Sequence, residues 1–410
     1  MNINNLLLQH IISGQHSSKY LKENIPELVI TLEKFFNTRS DIKRIQLSEI
    51  VCEKILEIMD FDDVIPLRSK VATLEIQRKI NYKKQSDHTA HTLYLFLIGI
   101  WFYDNIDSLR NKIDSKIDSK KPIKMFLFQW TFASLLHDVG YLFYSFPDSS
   151  NKEYWNFFDE MLSSNFMTKQ NKNLNQVENK NFQDVSAKFE EKYMAIKHSS
   201  QDNAISLIEQ LENIPWITEL TSKNIKGLEL LYKDTENLPS LNEFAYRMAK
   251  QGYDGTPVVD HGVTGSLMLL KYTSAWYAIV NSNEPNAFYS KFNYYPAVFN
   301  KHIIPACRAI AFHNLPEFKF SLNDEPLLFL SVMCDELQIW DRFLSGSQHI
   351  DNWANINHCM AEDIETQLLI TDQNQPKLKI SIDKMYGEKI KESLDKRVND
   401  WTNYISLNIK

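Results

Sequence analysis

One pair of residues limits the folds open to this chain more than any other. His137 and Asp138 follow the apolar run TFASLL and precede VGYLFY. An imidazole and a carboxylate at the end of an apolar helix are costly to bury alone, the ionised carboxylate above all, so the fold must bring other polar groups to them. The chain carries such groups, each in or beside a strongly apolar helical run: His88 and His91 in SDHTAHTLYLFLIGIWFY, His261 in DHGVTGSLMLL, His313 in AIAFHN and Asp335 in LLFLSVMCDELQIWDR. The long intervals between them forbid a local motif. Helix packing has to assemble the site.

Apolar residues recur at three- and four-residue spacings over most of the chain, and only 10 glycines punctuate its 410 residues, which predicts a mostly α fold. Residues 1–80 read as an N-terminal helical section and 81–345 as the domain that carries the site. Within that domain a helix after Ser86 or Asp87 is apolar on nearly every face from Leu93 to Tyr103 and belongs deep in the core. A second is expected from about Ile123 to Asp138, closed by Gly140 as a C-terminal glycine cap. Asp260 suits the N-cap of a third, and Asp324 with Pro326 the start of a fourth. Between 147 and 255 the character changes to Asn- and Lys-rich sequence, NFMTKQNKNLNQVENKNFQDVS, followed by helix-like stretches. That block reads as a helical and loop insertion that caps the site or offers a partner surface. Residues 346–410 read as a small β-hairpin, TQLLITD and KLKISID joined by QNQP, and an amphipathic helix from about Tyr386 to Ile405.

Charge and cysteine usage narrow the function. With 45 basic against 52 acidic residues the net charge is −7, which supplies no electrostatic grip on long nucleic acid and is compatible with a small phosphorylated substrate held by a local basic cluster. Four cysteines without a C-x-x-C pair signal neither a disulfide framework nor a zinc knuckle and fit a reducing cytosol. No secretory signal and no apolar run of about 18 residues is present, so a cytoplasmic chain without membrane contact is expected. P-loop, dinucleotide-binding glycine and H-E-x-x-H patterns are lacking.

Imidazole nitrogen and carboxylate oxygen together suit first-row metals, and four histidines with two aspartates exceed what one tetrahedral ion uses. Two ions roughly 3.5 to 4 Å apart, bridged by Asp138, are the natural expectation. His91 is the preferred ligand of its segment. His88, three residues earlier on the same helical face, reads as a proton donor, an outer hydrogen-bonding group or a solvated residue. His261 reads as a ligand or a first-turn residue, and His313 as a ligand or a charged helix C-terminus. Asp335 is the better supported, because an aspartate in mid-helix has poor propensity and an apolar neighbourhood. Arg308, Arg342, Lys271 and Lys301 are candidates to hold phosphate oxygens, against the ordinary alternative of surface groups. His10, His16, His198, His302, His349 and His358 receive no role, with His198 the substitute for His261 should the insertion fold differently.

Over residues 86–345 the segments DHTAHTLYLFLIG, LLHDVGY, DHGVTGSLMLL, AIAFHN and CDELQIWDR resemble the HD-domain superfamily of metal-dependent phosphohydrolases, in particular a bacterial group of unassigned substrate. The resemblance implies an HD-domain helical bundle with His91, His137, Asp138, His261, His313 and Asp335 as ligands of two divalent ions, Mn, Fe, Zn or Mg. It further implies hydrolysis of a nucleotide or similar small phosphoester; from the residues themselves, Asp138 and His88 read as the catalytic pair and Arg308, Arg342 and Lys271 as the groups at the substrate. Tyr141 departs from the lysine that many relatives carry after HDxG, and the interval from Asp138 to His261 is long. An HD-type di-iron oxygenase with a nearly identical ligand set, and a regulatory module that binds a nucleotide without turnover, are the other readings. A homo-oligomer is compatible with each.

Overall fold

A computed structural model of the chain describes residues 1–81, 88–141, 226–232, 260–281, 296–314, 319–342, 359–370 and 376–410. The expected insertion at 147–255 lies outside the described residues apart from 226–232, as do Ser86, Asp87, His198, His349 and His358. The described residues are mostly helical, with a small three-stranded sheet near the C-terminus. They divide into two units, one formed by Met1–Met59, Arg68–Leu136 and Leu315–Lys410, the other by Asp60–Leu67 and His137–Asn314. No described helix is long and apolar enough to cross a membrane.

The expected helical start of the chain is present as α1 (Ile3–Ser13), α2 (His16–Asn24), α3 (Leu28–Asn37), α4 (Asp41–Ile58) and α5 (Ile65–Asn81). Local capping explains some of these beginnings, since the Asn2 side chain accepts from Asn5 N and Ser40 from Lys43 N. In the first unit α6 (His88–Asn105) is the central element, and every residue from His88 to Asp104 is buried. This is the all-round burial that its uniformly apolar sequence requires. Around it pack α2, α4, α7 (Asp107–Ile117), α8 (Pro122–Leu135) and α12 (Pro326–Leu337). Trp130 of α8 donates from Nε1 to Phe96 O at 2.9 Å. The buried Arg68 guanidinium donates to Thr92 Oγ1 at 2.7 Å, Leu135 O at 2.6 Å and Thr89 O at 2.8 Å, and pairs with Glu49 at 3.0 Å.

Three local expectations are corrected. Helix α8 stops at Leu135 rather than Asp138, with its last carbonyl taken by Arg68, and 137–140 form a turn in which Tyr141 N donates to Asp138 O at 3.0 Å. Gly140 is therefore no left-handed cap; the described glycine with positive φ is Gly14, at 66°. Helix α12 begins at Pro326 behind Glu325, and Asp324 instead accepts from the Ser321 hydroxyl. At the C-terminus β1 (Glu365–Ile370) and β2 (Pro376–Ile382) form the expected antiparallel pair, with Glu365 opposite Ser381. The following helix, α13 (Lys384–Arg397), ends eight residues before Ile405, and Ile405–Ile409 form β3, parallel to β2 with Leu378 opposite Ile405. Val398 turns extended and Asp400 takes a left-handed φ of 55°, which breaks the helix and lets the alternating ISLNI run join the sheet.

The second unit contains α9 (Gly227–Tyr232), α10 (His261–Asn281) and α11 (Ile304–Phe312), the last reached through a helical turn, Pro296–Val298, and a π-helical stretch, Phe299–Ile303. Helix α10 packs along α11, and α9 touches both. Asp260 caps α10 as expected, its Oδ1 accepting from Val263 N at 3.0 Å.

Candidate metal centre

Of the six expected ligands, His137, Asp138, His261 and His313 belong to the second unit and His91 and Asp335 to the first. The four in the second unit are at most 6 % exposed, so bulk water does not screen their charges.

Each side chain arrives at the end of an element rather than in its middle. Asp138 sits in the turn after α8, His261 is the first residue of α10, and His313 is the C-cap of α11. The turn lies directly on α10, since a Cβ on Gly140 would stand 1.8 Å from His261 O; that approach, not a helix cap, is the reason for glycine here. Gly262 does the same for the two helices, because a Cβ there would lie 2.6 Å from Ile310 O and 3.0 Å from His313 Cε1.

These approaches bring Asp138, His261 and His313 together, with ligand atoms within 4.8 Å of one another. His261 Nε2 is 3.1 Å from His313 Nε2 and 3.3 Å from Asp138 Oδ1. His137 Nε2 is 3.3 Å from the same Asp138 oxygen, and its ring meets that of His313 edge-on with centroids 4.9 Å apart. Two atoms bound about 2.1 Å from one ion stand about 3.0 Å apart at a right angle and about 3.4 Å apart at the tetrahedral angle. The observed separations of 3.1 and 3.3 Å fall in that interval. His313 Nδ1 faces the Ile310 carbonyl at 2.6 Å, and a carbonyl only accepts, so the ring proton is on Nδ1 and the Nε2 lone pair is aimed at His261. A carboxylate and imidazole nitrogens so directed suit a divalent ion of the first row, and the residues fit the group the sequence led us to expect. The Tyr141 ring stacks on His261 at 4.0 Å and 15°, so the residue that stands where many of the resembled proteins carry a lysine packs against one of the expected ligands.

In the first unit His91 Nε2 lies 2.8 Å from Asp335 Oδ1. Its Nδ1 is 2.6 Å from Gln338 Oε1, and Gln338 is oriented by donation from Nε2 to Trp340 O at 2.7 Å. Arg342 Nη1 reaches both the Gln338 oxygen, at 3.0 Å, and His91 Nδ1. An acceptor and a donor thus meet at one ring nitrogen, and the position of the His91 proton decides which of them it bonds. His88 is buried at the start of α6, three residues before His91.

The other basic candidates have structural engagements. Arg308 Nε donates to Leu231 O at 2.7 Å. Lys271 is 1 % exposed in α10, so the alternative of a surface group fails for it. Lys301 is exposed. Sequence reasoning passed over Gln338 and Asn314 and gave Asp260 no part beyond its cap. Asn314 Nδ2 donates to Asp260 Oδ2 at 2.7 Å. The available signal was adjacency alone: Asp260 precedes His261, and Asn314 follows His313. Neither a protein-family model, nor a curated protein, nor a solved structure matches the chain.

Proposed function

We propose that the chain is a metal-dependent phosphohydrolase of the HD-domain type that cleaves a small phosphoester, a nucleotide by the family resemblance. The observation that carries this reading is the buried convergence of Asp138, His261 and His313 at ligand-to-ligand separations. A divalent ion bound there would supply Lewis acidity toward a phosphoryl oxygen and toward a water molecule. The side chains have their own work. Asp138 offers a carboxylate oxygen beside His137 and His261, and the Ile310 carbonyl keeps the His313 proton away from the ligand nitrogen. His91 and Asp335 are proposed as ligands of a second ion, with the half-buried Arg342 offered to phosphate oxygens and His88 to the leaving group. All four cysteines are free and buried, in keeping with a reducing, cytoplasmic setting.

Metal analysis of protein purified without chelator, followed by phosphate release from nucleoside phosphates and an aryl phosphate with Mn2+ or Mg2+, tests the reading. Metal-dependent release that disappears in His261→Ala is expected. Purified protein that neither holds nor takes up a divalent ion would end the proposal. Oxygen uptake by the iron-loaded protein without phosphate release would move it to an oxygenase, and tight nucleotide binding without turnover to a regulatory module.

A further inference from the structure

The two histidines that face each other at 3.1 Å both stand at helix ends, His261 opening α10 and His313 closing α11. Helix ends lack part of the backbone ladder and fray first, so two ligands placed there need a tie that the helices do not supply. One carboxylate provides it. Asp260 Oδ1 accepts from Val263 N at 3.0 Å and fixes the first turn of α10. Its other oxygen, Oδ2, accepts from Asn314 Nδ2 at 2.7 Å and so holds the residue after His313. That second oxygen also stands 3.9 Å from His261 Nδ1, and Asp260 is 3 % exposed, so Oδ2 is held between the two histidine-bearing helix ends rather than in water. The bond has an ionised acceptor, which makes it stronger than a neutral amide contact. It also closes the crossing at which Gly262 lets α10 approach Ile310 O.

We propose that the Asp260–Asn314 hydrogen bond is a positioning clamp that sets the spacing of the His261 and His313 imidazoles, and through it the affinity of the site for its metal. The inference rests on the metal-centre reading above. Neither residue is assigned to the metal itself. Both act through the histidine next to them in the chain, as groups outside a coordination sphere commonly do, where substitution costs roughly 10- to 100-fold in metal affinity.

The test is a Co2+ titration of the full chain, read by visible ligand-field absorption, with melting of the metal-free proteins alongside. Asn314→Asp sets two carboxylates against each other and is expected to weaken Co2+ binding by about 10- to 100-fold. Adding Asp260→Asn restores a donor opposite an acceptor, while the oxygen of the introduced amide still caps Val263 N. The double variant is expected to return to within about threefold of the parent affinity. Asn314→Ala, which removes the donor without adding charge, is the substitute should Asn314→Asp fail to fold, and is expected to weaken binding likewise. A residue that merely stabilised the fold would shift melting and leave Co2+ affinity and spectrum unchanged. Parent-like affinity in a folded Asn314 variant, or no recovery in a folded exchange variant, overturns the clamp alone. Failure of the parent protein to bind Co2+, or binding indifferent to His261→Ala, overturns the metal centre and the clamp with it.

Discussion

Asp104 in the first unit and Asp138 in the second are both buried carboxylates that meet imidazoles, and they are arranged in opposite ways. Asp104 is ringed by donors: Ser17 N and the Ser17 hydroxyl on Oδ1, Ser18 N at 2.9 Å and His10 Nε2 at 2.9 Å on Oδ2. The backbone donors come from the first turn of α2, so Asp104, far away in sequence, caps that helix. The other His10 nitrogen faces Asn105 Nδ2 at 3.3 Å. Around Asp138, by contrast, ring nitrogens gather, two of them 3.3 Å from the same oxygen, with a third nitrogen facing one of those at 3.1 Å. Donors converging on a carboxylate make a clasp that holds the fold. Ligand atoms converging on each other make a place for a cation. Residue type alone does not separate the two, since a histidine beside an aspartate occurs in both.

The strongest way to break this contrast is to remove each carboxylate in turn. Asp138→Ala is expected to lower metal content by at least one ion per chain and turnover by roughly a thousandfold, the scale of several kcal/mol of lost electrostatic stabilisation. The metal-free variant should melt no lower than the parent, because a charge set among ligands has been removed rather than a clasp. Asp104→Ala is expected to do the reverse. It strands the donors of Ser17, Ser18 and His10 and should cost about 3 kcal/mol in denaturant unfolding, with metal content per folded chain unchanged. Metal loss in Asp104→Ala, or heavy destabilisation in Asp138→Ala, would erase the distinction.

A smaller effect tests how the second cluster is assembled. Gly140→Ala places a methyl where His261 O already stands, and since both partners are backbone, the turn bearing Asp138 has to move away from α10. We expect at least a tenfold loss of metal affinity, on the scale of a displaced supporting shell, with a cost in stability of about 1–3 kcal/mol. Parent-like metal affinity would mean that the approach of turn and helix does not set the site.

Gly140 also shows where the sequence stopped being legible. Read locally, a glycine just past an apolar helical run is a left-handed cap, and only the tertiary approach to His261 O reveals another purpose. The same division runs through the fold. All-round burial of α6 and the Asp260 cap could be read, because apolar periodicity and N-cap chemistry act within a few residues. The parallel pairing of β3 with β2 could not, since its partner lies beyond a helix, and the end of α13 depended on the left-handed Asp400. In the site, the residue types and their apolar settings named Asp138, His261 and His313 as candidates. The Asn314 bond to Asp260 depends on a helix crossing, and its one trace in the chain is the adjacency of each residue to a candidate histidine. His10 was passed over because its partner, Asp104, is 94 residues away.

The smallest expected effect concerns a third kind of buried imidazole. His302, in the π-helical stretch before α11, is 6 % exposed, and burial first, with the Lys301 charge second, lowers its pKa from the ordinary 6.5 to about 4. The folded chain therefore keeps this ring neutral over a range in which the unfolded chain protonates it. Its contribution to stability is fully present above pH 6.5 and is lost as pH falls from 6.5 toward 4, with a slope of at most about 1.4 kcal/mol per pH unit for one proton. His302→Gln removes that proton from the balance. Denaturant unfolding of metal-free protein at steps between pH 7 and pH 4 should show a shallower decline in the variant than in the parent. Equal slopes would show that His302 binds its proton alike in the folded and unfolded chains, and that burial does not hold this imidazole neutral.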